Sequence, residues 1–418
     1  MLLRDTSVRN PAPGPTHRVR STRLVRFRTP GEKTKKRRVL VTLFTYGQSF
    51  INLPHLLQAA DIEVDLVAPE GNSLLKSRGV SHAFASGASQ EAFVKTIEER
   101  LATGEYDLLV SGDEDALIAL YRHGIAPELQ HYLPYAADSS LARAVGRKDL
   151  FQDWCSSNSI PTPITRIVHS WAEFNEAAAE TGWPCFLKRS SGSGGRAVFL
   201  LENAAEAEAF RPELENRQPW LVQELVRGKS GCVLFFADRG EVRAWFALDF
   251  VRCLNDDKGP MVISDFIVTP ALAAACQQVA ASSGITGLTG FDFIETAAGE
   301  IRVIDSHLGR TTAANHFGQA CGVHFGEAMS RWMNGETDFT MEPQPSTVRV
   351  VKFPEIIDLV FQKGFSAFSG GALNAKAVKV AWGSRNDRLA MARMAWGTLV
   401  GNLIVALGRC RQSLLGQR

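Results

Sequence analysis

Two carboxylates and an imidazole fall close together in the chain: Asp292, then Asp305 with His307 just beyond Ser306. They belong to two short apolar runs, 290–295 and 301–305, separated by the turn Ala298-Gly299. Residues two apart share a strand face, so Asp305 and His307 point the same way, and across an antiparallel pair Asp292 lies beside them. Such carboxylates suit Mg²⁺, which takes a few protein oxygens and completes its shell with phosphate and water. They equally suit a salt-bridged strand pair with Arg302 and Arg310 as partners. A second stretch with chemical character is Lys188-Arg189-Ser190-Ser191-Gly192-Ser193-Gly194-Gly195-Arg196. Its apolar flanks predict a β-hairpin with a small tip. The glycines and serines leave backbone N–H groups uncovered, as a loop closing on phosphate oxygens requires, while Lys188 and Arg196 add charge. An ordinary hairpin turn fits the same residues.

The elements that must position these groups follow a βα rhythm from Arg38 onward. Strands are expected at 39–44, 62–68 and 106–111, with helices around 51–60 and within 89–104, and this alternation predicts a parallel, doubly wound sheet. The turn Ser111-Gly112-Asp113-Glu114-Asp115 lies at a strand's carboxyl end, where such sheets bind ligands. Its acids fit helix N-terminal residues complementing the dipole better than substrate contacts. Beyond Gly146-Arg147-Lys148-Asp149 the pattern changes to antiparallel strands with helices on one side. Helices are expected at 150–158, 171–181 and 270–283. Strands are expected at 164–169, 220–224, 232–237 and 242–250, the last two joined by the hairpin signal Asp238-Arg239-Gly240.

Composition bounds the function. The 418 residues carry a net charge of +2, long enough for two or three domains. Residues 1–38 hold 12 Lys/Arg against two acids, and residues 363–418 hold nine against one. The body between them carries 25 basic and 41 acidic side chains, a balance unsuited to tracking nucleic-acid phosphates. Residues 1–37 read as a disordered basic extension without the apolar run of a secretory signal. Seven cysteines with no Cys-x-x-Cys pair argue for a reducing, cytoplasmic setting and against a zinc site.

Taken in order, Lys148, Lys188 with its Ser/Gly loop, Gln223-Glu224, Asp292, and Asp305-x-His307 with Arg310 beyond resemble the ATP-grasp superfamily. That group includes D-alanine–D-alanine ligase, biotin carboxylase and carbamoyl-phosphate synthetase. The resemblance covers about residues 38–336. It implies an α/β ATP-grasp fold: a pre-ATP-grasp βα domain at 38–135, then the ATP-grasp domain at 136–345. The latter would comprise a small lid subdomain (about 160–225) and a metal-binding subdomain (about 226–345), followed by a basic and apolar extension at 346–418.

The resemblance also implies roles. Lys148 and Lys188 would contact the nucleotide phosphates, with Ser190, Ser191, Gly192, Ser193, Gly194 and Gly195 closing over the triphosphate. Glu224 would bound the adenine pocket. Asp292, Asp305 and His307 would bind Mg²⁺, with Mn²⁺ as an alternative. Arg310 and Lys188 would be catalytic, Arg310 steadying an acyl phosphate, and Arg252 is a weaker candidate for a substrate carboxylate. The implied function is an ATP-dependent carboxylate–amine, or carboxylate–nucleophile, ligase that releases ADP and phosphate. Bicarbonate activation of the biotin carboxylase kind, and nucleotide binding without turnover, are the alternatives. The sequence departs from the family at Asp305, where Glu is commoner, and at His307, where Asn is usual and an imidazole is a poorer ligand for hard Mg²⁺. The expected partners are a small carboxylate and a small nucleophile, with homo-oligomerisation open. For the tail helix expected at 387–409, packing on the protein or a second subunit is favoured over peripheral contact with a membrane interface.

Overall fold

The computed structural model describes residues 36–45, 50–192, 197–216, 218–257, 259–369, 371–372, 377–381, 387, 392 and 395–403. The expected basic N-terminal extension, residues 193–196 of the Ser/Gly loop and most of the expected tail helix lie outside them.

The first sheet is parallel throughout, in the order β3-β2-β1-β4, with β1 Arg37–Thr42, β2 Ile62–Pro69, β3 His82–Ser86 and β4 Leu108–Ser111. Strands β1, β2 and β4 are buried along most of their length because helices cover the sheet: α1 (Asn52–Gln58), α2 (Gln90–Leu101) and α3 (Glu114–His123). Asp113 explains the start of α3. One carboxylate oxygen accepts from Ala116 N at 2.8 Å, the other from Phe44 N and Thr45 N at 3.0 and 2.8 Å. It is a helix cap that also holds the end of β1, as the dipole argument expected.

After α4 (Ser140–Arg143) and α5 (Lys148–Ser157) comes a four-stranded antiparallel sheet in the order β5-β8-β6-β7. Its strands are β5 Thr165–Val168, β6 Cys185–Arg189, β7 Val198–Leu201 and β8 Trp220–Glu224. Helix α6 (Trp171–Thr181) covers one face, burying Phe174 against Leu187, Trp220 and Val222.

The third sheet has seven strands in the order β13-β12-β9-β10-β11-β14-β15. They are β9 Gly228–Asp238, β10 Glu241–Cys253, β11 Met261–Ile267, β12 Gly287–Thr296, β13 Ile301–Ser306, β14 Val348–Lys352 and β15 Ala377–Ala381. The β9–β10 turn puts Arg239 and Gly240 at φ +49° and +81°. Two positive values mark the tight hairpin turn whose twist matches the strands. Alternate residues of β9 enter two cores. Leu234 and Phe236 pack with Leu56 and Phe325, while Val233 and Phe235 pack with Trp154 and Leu272. Each fully buried Phe contributes on the order of 1.5–3 kcal/mol of transfer free energy, so β9 is a principal anchor of the body.

The 346–418 extension is joined to this sheet: β14 pairs antiparallel with β11, and β15 pairs parallel with β14. Residues 395–403 are helical, and Asn402 within them donates to Asp358 of the earlier helix Glu355–Lys363 at 2.6 Å, which fits packing on the protein. Among the described residues no helix is long and apolar enough to cross a membrane.

Candidate active site

Asp292 of β12 and Asp305 of β13 are register partners on neighbouring antiparallel strands, so their carboxylates occupy one part of the sheet. Desolvation works to raise the pKa of Asp305, but the neighbouring positive charges, Lys148 first among them and Lys188 beyond it, outweigh it and hold the carboxyl down at about 2. It is therefore an anion throughout the neutral range. Lys148 Nζ lies 3.5 Å from the Asp305 carboxylate and donates to Gly192 O at 3.0 Å. One ammonium thus links the described base of the Ser/Gly loop to the carboxylate strand.

The loop base is fastened a second time. Lys148 N donates to Ser190 O at 2.8 Å, and the Ser190 hydroxyl is hydrogen-bonded to Asp149, with Arg147 Nε donating to the same oxygen at 3.1 Å. Ser190 and Asp149 are 6% and 4% exposed, so this is an interior knot. Arg147 and Asp149 carried no role in the sequence reading; their signal was the charged run Arg147-Lys148-Asp149 at the start of α5. Ser191 and Gly192 are exposed, and Gly192 has φ +112°, a backbone that favours glycine.

Lys188, on β6, approaches from the small sheet. Its ammonium donates to Gln223 Oε1 at 2.6 Å. Gln223 Nε2 donates in turn to Thr165 Oγ1 at 2.9 Å, which fixes the amide's orientation. Burial, with some help from Lys148, pulls the Lys188 pKa down to about 8 against the opposing pull of Asp305 and Asp292. Glu224 ends β8 and accepts from Ile164 N at 2.8 Å, while its own N–H donates to Ile164 O at 2.9 Å. It clamps the start of β5 at the edge of the small sheet.

His307 has both ring nitrogens engaged. Nε2 lies 2.9 Å from Asp292 Oδ1, and Nδ1 lies 2.6 Å from an Arg310 guanidinium nitrogen. A guanidinium only donates and a carboxylate only accepts. The ring between them is therefore neutral with its proton on Nε2, an arrangement that aims Arg310 from Asp292. Backbone bonds complete the fit: His307 N donates to Gly290 O at 3.0 Å and Arg310 N to His307 O at 3.1 Å. Thr311 N donates to Ser111 O at 2.8 Å, tying this turn to the carboxyl end of β4.

The sequence-derived residues Lys148, Lys188, Asp292, Asp305, His307 and Arg310 are thus connected through one constellation. Among the described residues, however, no three His, Cys, Asp or Glu side chains converge as a metal-holding group. The expected set of Asp292, Asp305 and His307 is not assembled as one: the imidazole faces Asp292 and Arg310, while Asp305 faces Lys148. The two carboxylates do fit Mg²⁺, one kept ionised and both register-paired, whereas both nitrogens of His307 are already committed. Arg252 is not brought to the site. It donates to Val251 O and to Ser369 O at 2.7 and 2.6 Å, holding the sheet against the C-terminal segment.

With this geometry in hand, the comparisons with known proteins agree. Residues 146–306 match the family model described as an ATP-grasp domain. The fold is similar to that of N5-carboxyaminoimidazole ribonucleotide synthetase in its ADP complex, with 17% identity, a TM-score of 0.55, and coverage of 75% of this chain and 79% of that one. It is also similar to the biotin carboxylase domain of the 2-oxoglutarate carboxylase of Hydrogenobacter thermophilus, solved with MgADP, ADP and bicarbonate (16%, TM-score 0.58, 76% and 74%). A third similar structure is the L-amino acid ligase of Bacillus licheniformis (11%, TM-score 0.53, 74% and 78%). No curated protein matches the chain in sequence.

Proposed function

We propose that this chain, whose residues 146–306 match an ATP-grasp domain, is an ATP-dependent ligase of the ATP-grasp superfamily that joins a small carboxylate to an amine or related nucleophile. The observation that carries the reading is the convergence of Lys148 on Asp305 and Gly192 beside the register pair Asp292/Asp305. A carboxylate resists attack until one of its oxygens becomes a leaving group. In the proposed reaction a carboxylate oxygen bonds to the γ-phosphorus of ATP as the bond to the β-phosphate bridge breaks, giving acyl phosphate and ADP. The nucleophile's nitrogen then bonds to the acyl carbon, phosphate leaves with its oxygen, and the amine proton passes to solvent.

Each residue's part in this is positional and electrostatic. Lys148 and Lys188 hold triphosphate oxygens, and Gly192 with its neighbours supplies loop N–H groups near them. Ser190, fixed by Asp149, sets the loop's base, and Glu224 borders the base-binding end. Asp292 and Asp305 would hold Mg²⁺, which would supply neutralisation of the triphosphate charge. Arg310, aimed by His307, steadies the acyl phosphate. Supplying ATP and Mg²⁺ with panels of carboxylates and amines tests the reading: turnover should require one member of each panel. Turnover that needs bicarbonate alone would redirect it to carboxylation, and ATP binding without turnover in every mixture would remove it.

A further inference from the structure

The C-terminal extension meets the parallel-sheet unit through a buried carboxylate. Six positions after β15 ends at Ala381 stands Asp387, 5% exposed. Its Oδ2 accepts from His55 Nε2 and from the Ser77 hydroxyl, each at 2.6 Å, and its Oδ1 accepts from Arg78 N at 3.0 Å. A carboxylate only accepts, which puts a proton on His55 Nε2. Burial works against the charge. The Ser77 hydroxyl, the Arg78 N–H and His55 outweigh it and hold the carboxyl below its usual range. Ser77 is itself buried, and its oxygen also accepts from Gly79 N at 3.2 Å. A Cβ on Gly79 would stand 2.9 Å from Pro54 Cβ and 3.0 Å from His55 Nδ1, so the turn 77–79 lies directly on α1.

Helix α1 in turn faces the site. Asn52, its first residue, donates from Nδ2 to His316 Nε2 at 3.3 Å. Burial, with Lys352 and Lys379 adding to it, pulls the His316 pKa down to about 3, so the ring is neutral and Nε2 can accept. The preceding residue, Asn315, donates to the Thr311 hydroxyl and to Thr312 O. Thr311 is the residue that ties the Arg310 turn to the end of β4. Hydrogen bonds and helix backbone thus run without a gap from Asp387 through α1 to the residue after Arg310.

We propose that Asp387 is a positioning residue: through it the C-terminal extension straps the large sheet to α1, and the strapped helix holds the Arg310 turn against the carboxyl end of β4. The effect falls on the side of the site that handles the carboxylate, because Lys148 and Lys188 stand on α5 and β6 and are held by other partners. The consequence for catalysis rests on the ligase reading; the strap itself stands on the Asp387 contacts alone.

The test is hydrogen–deuterium exchange of the full-length protein, wild type against D387A and D387N. Peptides covering 51–60 and 73–81 are compared with one covering 232–237 of β9. Loss of a charged acceptor should speed exchange about tenfold in the first two and leave β9 within about twofold. D387N, which keeps the shape without the charge, should fall between wild type and D387A. MgATP affinity, measured by calorimetry, should stay within about twofold in both variants because the phosphate-holding lysines are untouched. Unchanged exchange at 51–60 and 73–81 in D387A, acceleration spread equally to β9, or a loss of MgATP affinity in step with the exchange would overturn the proposal. Where the carboxylate and amine panels give turnover, D387A should raise the carboxylate KM several-fold with the ATP KM unchanged, and an unchanged carboxylate KM would also overturn it. Absence of turnover by wild-type protein on every panel defeats the ligase reading, while the exchange result still decides the strap.

Discussion

The small sheet and the large sheet bring charge to the site in opposite ways. On the small sheet, Lys188 is held by the neutral amide of Gln223, and burial leaves its ammonium weakened, with a pKa near 8. On the large sheet, Asp305 is matched by Lys148 and remains an anion down to about pH 2. A cation that is positioned but under-compensated is poised for an anionic ligand, because phosphate oxygens supply the counter-charge that the fold withholds. A carboxylate already compensated is poised to exchange its partner for a metal ion. The difference divides the work: the lid side recognises phosphate, and the carboxylate side stays charged whatever is bound.

The largest break in that comparison is K188A. A hydrogen bond to a charged group is worth about 1.5–3 kcal/mol, so ATP affinity measured by calorimetry should fall by roughly 10- to 100-fold. A change below threefold would place Lys188 outside the phosphate site. A second measurement sharpens the same contrast through pH. Because the Lys188 pKa is depressed, its ammonium is present below about pH 8 and lost above it. ATP affinity should therefore weaken as pH rises through 8, approaching a tenfold loss per unit once the free lysine is neutral. K188R, whose guanidinium stays protonated, should flatten that profile even if it binds less well. The smallest effect is expected on the large sheet, at His307. H307Q should lower ATP turnover a fewfold through a less well-aimed Arg310 while nucleotide affinity stays within twofold. The ¹⁵N spectrum of the wild-type ring should show protonated Nε2 and bare Nδ1. The opposite tautomer would break the Asp292–His307–Arg310 arrangement.

Much of the scaffold was legible because its signals are local. The period-two spacing of Asp305 and His307, with Asp292 one strand earlier, led to a carboxylate pair across an antiparallel ladder, and the register places Asp292 opposite Asp305. The βα rhythm of 38–111 led to a parallel sheet for similar reasons. What escaped the sequence depends on contacts between distant residues. Ser190 is tied to Asp149, 41 positions away, and a phosphate-loop serine looks the same in sequence whether its hydroxyl is free or spent. His307 carries ligand chemistry in its composition, but its neighbours on both sides decide which chemistry is available. Strand β14 belongs to the stretch described from sequence only as an extension, and nothing in Val348–Lys352 names β11 as its partner. Arg252 looked like a free cation because the carbonyl of Ser369 that receives it lies 117 residues on.

The central claim is that this site activates a carboxylate by phosphoryl transfer, and the nucleotide product tests it most directly. Turnover followed by ³¹P NMR in the presence of Mg²⁺, a carboxylate mixture and an amine mixture should yield ADP and inorganic phosphate in equal amounts. AMP and pyrophosphate would mean that the carboxylate is activated as an adenylate, and would contradict the account.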